Sequence, residues 1–194
     1  MSSQRRRKRA QAVVETAMVL PLIVLLMLGS ADLGRAFYLK LEMSGASRAG
    51  MRMAVLGQSV DIGNAVRAEP NSAIPNTYAA WGLTGPTASG GTNGDCISAS
   101  QRCGDPSGCD RGSASAWSVA GQQACFAVRT CIIWTNGSCS SFSAWGQRPV
   151  AGSDQAIQVR AVYRFLPATP IIAAFAGSGG AFYLVSDTMG LQLY

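Results

Sequence analysis

Residues 5–31 read RRRKRAQAVVETAMVLPLIVLLMLGSA. Two materials meet there. Arg5, Arg6, Arg7, Lys8 and Arg9 are five consecutive cations. From Ala10 to Ala31 the only charge is Glu15, and from Thr16 to Ala31 there is none. A helix needs about 20 apolar residues to cross a bilayer. This run supplies them, with Glu15 near one end. Cations directly before such a run set the topology: they favour a cytoplasmic N-terminus and leave the rest of the chain outside the cytoplasm. The expectation is a single-pass protein of the cytoplasmic (inner) membrane.

The whole chain has 194 residues, 48% of them hydrophobic and 13% charged, and a net charge of +6. An ordinary soluble domain carries about 25% charged residues. The basic excess invites a nucleic-acid reading, but five of the sixteen cations sit in residues 5–9. The remaining eleven cations face ten acids, a net +1, so no basic surface is left for a phosphate backbone and no nucleic-acid partner is expected. Histidine is absent, which removes Ser-His-Asp and Cys-His catalysis and His-ligated metals. No nucleophile–base pair is visible and no P-loop is present. The chain is expected not to be an enzyme and to need no cofactor or metal.

A carboxylate inside an apolar span is costly, so Glu15 asks for a function. If a peptidase cuts between Ala10 and Gln11, Glu15 becomes the fifth residue of the shortened chain. The freed ammonium at Gln11 then lies one helical turn away, on this subunit or a neighbour. Pro21 removes one backbone hydrogen bond and is expected to kink the span. Two other readings stay open: an uncleaved anchor, and a secretory signal peptide cut near Gly29-Ser30-Ala31.

A short basic leader, a small residue before the cut, an acid at the fifth position and a long apolar helix resemble type IV prepilin-like proteins, with Ala10 standing where Gly is usual. Over residues 5–55 the likeness narrows. Gln11, Ala12, Val14, Glu15, Leu20, Pro21, Asp32, Gly34, Arg35, Ala36, Phe37, Ala46, Ser47, Arg48, Gly50 and Arg52 resemble the N-terminal signature of the TadE/TadG-like family, the minor pseudopilins of the tight-adherence (Tad) pilus system. The resemblance implies a membrane-inserted assembly component that helps initiate or cap a pilus. It implies processing by prepilin peptidase between Ala10 and Gln11 and assembly contacts through Glu15 and Pro21. The implied partners are the inner membrane, other Tad pseudopilins and the pilin. The alternative is a membrane-anchored or secreted disulfide-stabilised binding module, adhesin-like in character.

Beyond the span the helix is expected to continue, since 32–56 lacks proline. Leu33, Phe37 and Leu41, and Leu39 and Met43, fall at helical spacings. Arg35, Lys40, Glu42, Arg48 and Arg52 mark a polar side. Gly34, Ser44, Gly45, Ala46, Ser47, Ala49 and Gly50 permit close packing, with a solvated face as the plain alternative. Gly57 is a stop signal. The expected organisation is a basic leader 1–10, a transmembrane and continuing amphipathic helix 11–57, and an extracytoplasmic domain 58–194. That domain holds a Cys-rich loop 82–145 and C-terminal strands 156–194. A short helix is expected at Ile62–Ala68, before Pro70.

Residues 125–134 are rich in β-formers, and Asn136-Gly137 is a hairpin signal ahead of Cys139–Phe142. Residues 156–165 alternate, placing Ile157, Val159, Ala161, Tyr163 and Phe165 on one face. A short helix begins near Pro170, Gly177–Gly180 reads as a turn, and 181–186 and 189–194 read as two closing strands. The fold class is α+β: a long pseudopilin-like transmembrane helix, then a small antiparallel sheet with a disulfide-rich loop. Cys96, Cys103, Cys109, Cys125, Cys131 and Cys139 are an even set on the extracytoplasmic side, so disulfides are expected, with fifteen pairings open. Zinc is disfavoured because no C-x-x-C pair exists. Trp81, Trp117, Trp134 and Trp145 could stack on a glycan, with core packing or subunit contact the better reading.

Overall fold

A computed structural model of the chain describes residues 2–57, 62–70, 73–83, 109, 117, 121–147, 156–176 and 180–191, the side chains of 2–10 and Ile171 excepted. Helix α1 runs Ser2–Val55 without a break and passes through Pro21. Gly57 ends it in the left-handed region (φ 71°), its N–H donating to the Ala54 carbonyl. Only glycine takes that conformation at little cost. Helix α2, Ile62–Ala68, packs against α1, and a 3-10 turn covers Ala79–Trp81.

Four antiparallel strands follow: β1 Ala124–Thr135, β2 Ser138–Phe142, β3 Ala156–Phe165 and β4 Phe182–Leu191. They lie in the order β2-β1-β3-β4. Asn136 and Gly137 both have positive φ, the geometry that lets a two-residue turn match the twist of its strands. Helix α3, Pro170–Phe175, interrupts the β3–β4 connection.

The two expected closing strands, 181–186 and 189–194, are one over Phe182–Leu191, and 192–194 lie outside the described residues. Strand β4 pairs with β3 continuously from Ala156↔Leu191 to Phe165↔Phe182. The polar Ser186-Asp187-Thr188 triplet reads as a break, yet each side chain is held. Arg160 Nε and Nη2 donate to the Asp187 carboxylate at 2.6 and 2.7 Å, and Ser186 and Thr188 meet Ser47 of α1 at 3.1 and 2.8 Å.

The sheet is covered on both faces. The expected face of β3, with Ile157, Val159 and Ala161 buried, packs on α1 together with Phe126 and Val128. Trp81 seals this core edge-to-face against Phe126. On the far face Val162, Cys125 and Ala127 lie beneath Cys109, Trp117, Trp145 and Tyr183.

Close approach of α1 to the sheet depends on its small residues. Ala46, Ser47 and Gly50 are buried. A Cβ on Gly50 would stand 2.4 Å from Val66 Cγ2 and 3.2 Å from Val159 Cγ1. Gly190 of β4 makes the reciprocal gap, with Met51 Sδ at 2.8 Å from its would-be Cβ. Gly34 is different, since nothing lies within 4 Å.

Candidate functional site

The candidate site is the surface of α1. Its two halves differ. From residue 11 to residue 31 every residue is exposed except half-buried Gly29. Val13, Met18, Leu22, Leu26 and Met27 are each more than 60% exposed, an apolar surface that water would not tolerate uncovered. Within residues 11–55 lies one stretch long and apolar enough to cross a membrane. At 1.5 Å per residue, twenty-one residues extend about 31 Å, the thickness of a hydrocarbon core. The polar groups in this half are locally bonded. Thr16 Oγ1 donates to the Ala12 carbonyl and Ser30 Oγ to the Met27 carbonyl. Gln11 Nε2 donates to Glu15 Oε1 at 2.9 Å.

From Asp32 onward a stripe at helical spacing turns inward: Asp32, Leu39, Met43, Ala46, Ser47, Gly50 and Ala54 are all buried. Leu33, Phe37 and Leu41 share the same heptads but stay 70%, 68% and 56% exposed. The expected apolar spacing is therefore split between two faces. One docks on the sheet. The other prolongs the bare apolar surface above the span, beside exposed Gly34.

Asp32 marks the division. Its carboxylate accepts the backbone N–H groups of Ala168 (3.1 Å) and Thr169 (2.9 Å) and a hydrogen bond from the Thr169 hydroxyl. Arg35 stands 3.7 Å away and also lies over the Phe165 ring. The Thr169 hydroxyl chiefly, then the two N–H donors, hold the Asp32 carboxyl below its ordinary value, against a smaller desolvation effect. This residue was legible only as a family-like position. An acid closing an apolar run one turn before an arginine was the available signal.

Of the expected site residues, Ala10, Gln11, Glu15 and Pro21 lie on one uninterrupted helix. The side chains of Arg5, Arg6, Arg7, Lys8 and Arg9 lie outside the described residues, as do Cys96 and Cys103. The other four cysteines are brought together in two bonds, Cys109–Cys125 and Cys131–Cys139. The first ties Cys109 to the sheet's far face. The second staples the β1–β2 hairpin, whose tip exposes Ile132, Ile133 and Trp134.

The tryptophans do not share a face. Trp81 is core, Trp134 is at the hairpin tip, and Trp117 and Trp145 cover the far face. There Arg129 lies 3.8 Å from the centroid of Phe142 and 4.2 Å from that of Trp145, and Arg160 lies 4.5 Å from Trp145. This ladder was not foreseen, because its rungs come from 129, 142, 145 and 160 and meet only through strand register. Among the described residues no group of three or more Cys, Asp or Glu is placed to hold a metal.

The family model described as TadE-like protein matches residues 10–52, the whole of the bare half and most of the docked one. That family is structural, and the match points to a component associated with the Tad pilus. No curated protein and no solved structure matches the chain.

Proposed function

We propose that this chain is a minor pseudopilin of a Tad-type pilus, a membrane-inserted structural subunit that helps initiate or cap the fibre. The observation that carries the reading is the division of α1. One helix is bare and apolar in its first half and anchored to a folded domain in its second, and the family match falls across the junction. The bilayer stores the bare half, with Arg5–Arg9 on the cytoplasmic side and the sheet domain outside. Prepilin peptidase cuts between Ala10 and Gln11. Extraction into a helical bundle with pilin and other Tad pseudopilins then exchanges lipid contacts for helix contacts. Leu33, Phe37 and Leu41 extend that contact surface beyond the span, and Gly34 lets a neighbouring helix approach. Gln11 already reaches Glu15 along one turn, so a new ammonium at residue 11 has the same carboxylate within reach. The pair sets register more than it adds stability.

The intact mass of the membrane form tests the cut: loss of residues 1–10 is expected, and retention of them overturns processing. Glu15→Ala is expected to leave membrane insertion unchanged and to lower co-purification with pilus components. Unchanged assembly would remove Glu15 from the mechanism. The exposed apolar tip of the stapled hairpin favours one other reading, an adhesin-like binding module. A mass showing loss through Ala31 would support that module in secreted form.

A further inference from the structure

Strand β3 runs down α1 toward the bare half. Val159 lies against Gly50, Phe165 under Arg35, Thr169 on Asp32, and Ile172 nearest Gly29. Strand β4 climbs back, through Val185 at Lys40 and Thr188 at Ser47 to Gly190 at Met51. The β3–β4 connection is therefore the end of the domain that meets the span. From Phe165 to Ser186 there is no charged residue.

Helix α3 sits beside the span itself. Thr169, Pro170 and Ile172 line one wall of an apolar groove of about 280 Å³, and Pro21, Leu25 and Leu28 line the other. From Asp32 to Pro21 is about 16 Å along the helix axis, the depth of one leaflet's hydrocarbon. Leu166 is 55% exposed and Phe175 83% exposed. Non-helical backbone at membrane depth must have its polar groups satisfied. Here Asp32 accepts the N–H groups of Ala168 and Thr169, while Pro167 and Pro170 have none to satisfy. The N–H groups of Ala173 and Ala176 donate to the Thr169 and Ala173 carbonyls.

We propose that Leu166–Phe175 is a second membrane contact, a foot that enters the leaflet nearer the sheet domain and encloses a lipid acyl chain against α1. It rests on the reading of residues 11–31 as a membrane span. The domain is then held to the bilayer at two points, and leaving the membrane requires withdrawing the foot as well as the span.

The test uses the full chain in phosphatidylethanolamine–phosphatidylglycerol vesicles whose acyl chains carry a photoactivated diazirine. Trypsin releases the span on peptide 10–35 and the foot on 165–194, since no Lys or Arg follows Arg164. Lipid adducts are expected on both peptides, those of the second within Leu166–Phe175. Phe175→Asp is expected to lower adducts on 165–194 by about tenfold and leave those on 10–35 unchanged, while Phe175→Leu retains both. Adducts on 10–35 alone would overturn the foot and leave the span standing. Absence from both would overturn the span and the foot with it. Cross-links from 165–194 to a second copy, in place of lipid, would also overturn the proposal.

Discussion

The two halves of α1 are one uninterrupted helix of one chain, yet they answer to different solvents. Residues 11–31 present an apolar surface all round and touch little of their own protein. Residues 32–55 present a narrow stripe of small and apolar side chains and bury it in the sheet. A helix apolar on every side asks for lipid or for other helices, whereas a striped helix asks for a single partner. The boundary is Asp32, the first residue whose side chain is spent wholly on the domain. Composition separates the halves coarsely. Within the second half, whether a glycine has a neighbour separates the docked face from the bare one.

Gly50 and Gly34 make that difference measurable. Gly50→Leu should have the largest effect, because its first added atom already collides with Val66 and Val159. Overpacking typically costs about 1–3 kcal/mol; the atoms met are methyls of short, branched side chains that have no flexible end to swing aside, so the upper end is expected. Denaturant melts of the purified chain should show it, and a loss below about 0.5 kcal/mol would mean that α1 does not dock as described.

Asp32→Asn should come next. The Asp32 carboxyl is held below its ordinary value of 3.8 by Thr169 and the two N–H donors. A depressed acid contributes fully above its unfolded value, and that contribution is lost as the pH falls through the folded value. The wild type should therefore hold the Asp32 contribution from neutral pH to about pH 4 and lose it in stronger acid. Asp32→Asn should be less stable at neutral pH and lack this acid-dependent loss. Parallel pH profiles of the two proteins would refute the role. Gly34→Ala is the smallest. With open space around it, it should stabilise the isolated helix by up to about 1 kcal/mol, yet lower co-purification with pilus components if that face meets a neighbouring helix.

Much of the fold was legible because local signals agreed with tertiary demand. The apolar run, the Asn136-Gly137 turn, the alternation of β3 and the proline-initiated α3 each occupy a few consecutive residues. Failures came where meaning lay across the sheet. Ser186-Asp187-Thr188 looks like a break until Arg160 and Ser47 stand opposite. Leu33, Phe37 and Leu41 share their spacing with the docked stripe, and only the fold decides which face the sheet covers. The candidate site was half visible: Glu15 and Pro21 announce themselves inside an apolar run, whereas Asp32 owes its partners to a loop 136 residues later.

The separation between Ser47 and Thr188 has a consequence for how the protein is made. They are hydrogen-bonded but 141 residues apart in the chain. At the pace of synthesis, that interval is on the order of ten seconds. During it α1 and α2 have been built, and Val66 already meets Gly50. Ser47 must wait for the strand that carries Ser186 and Thr188. A chain cut short before β4 leaves the Ser47 hydroxyl without Ser186 and Thr188.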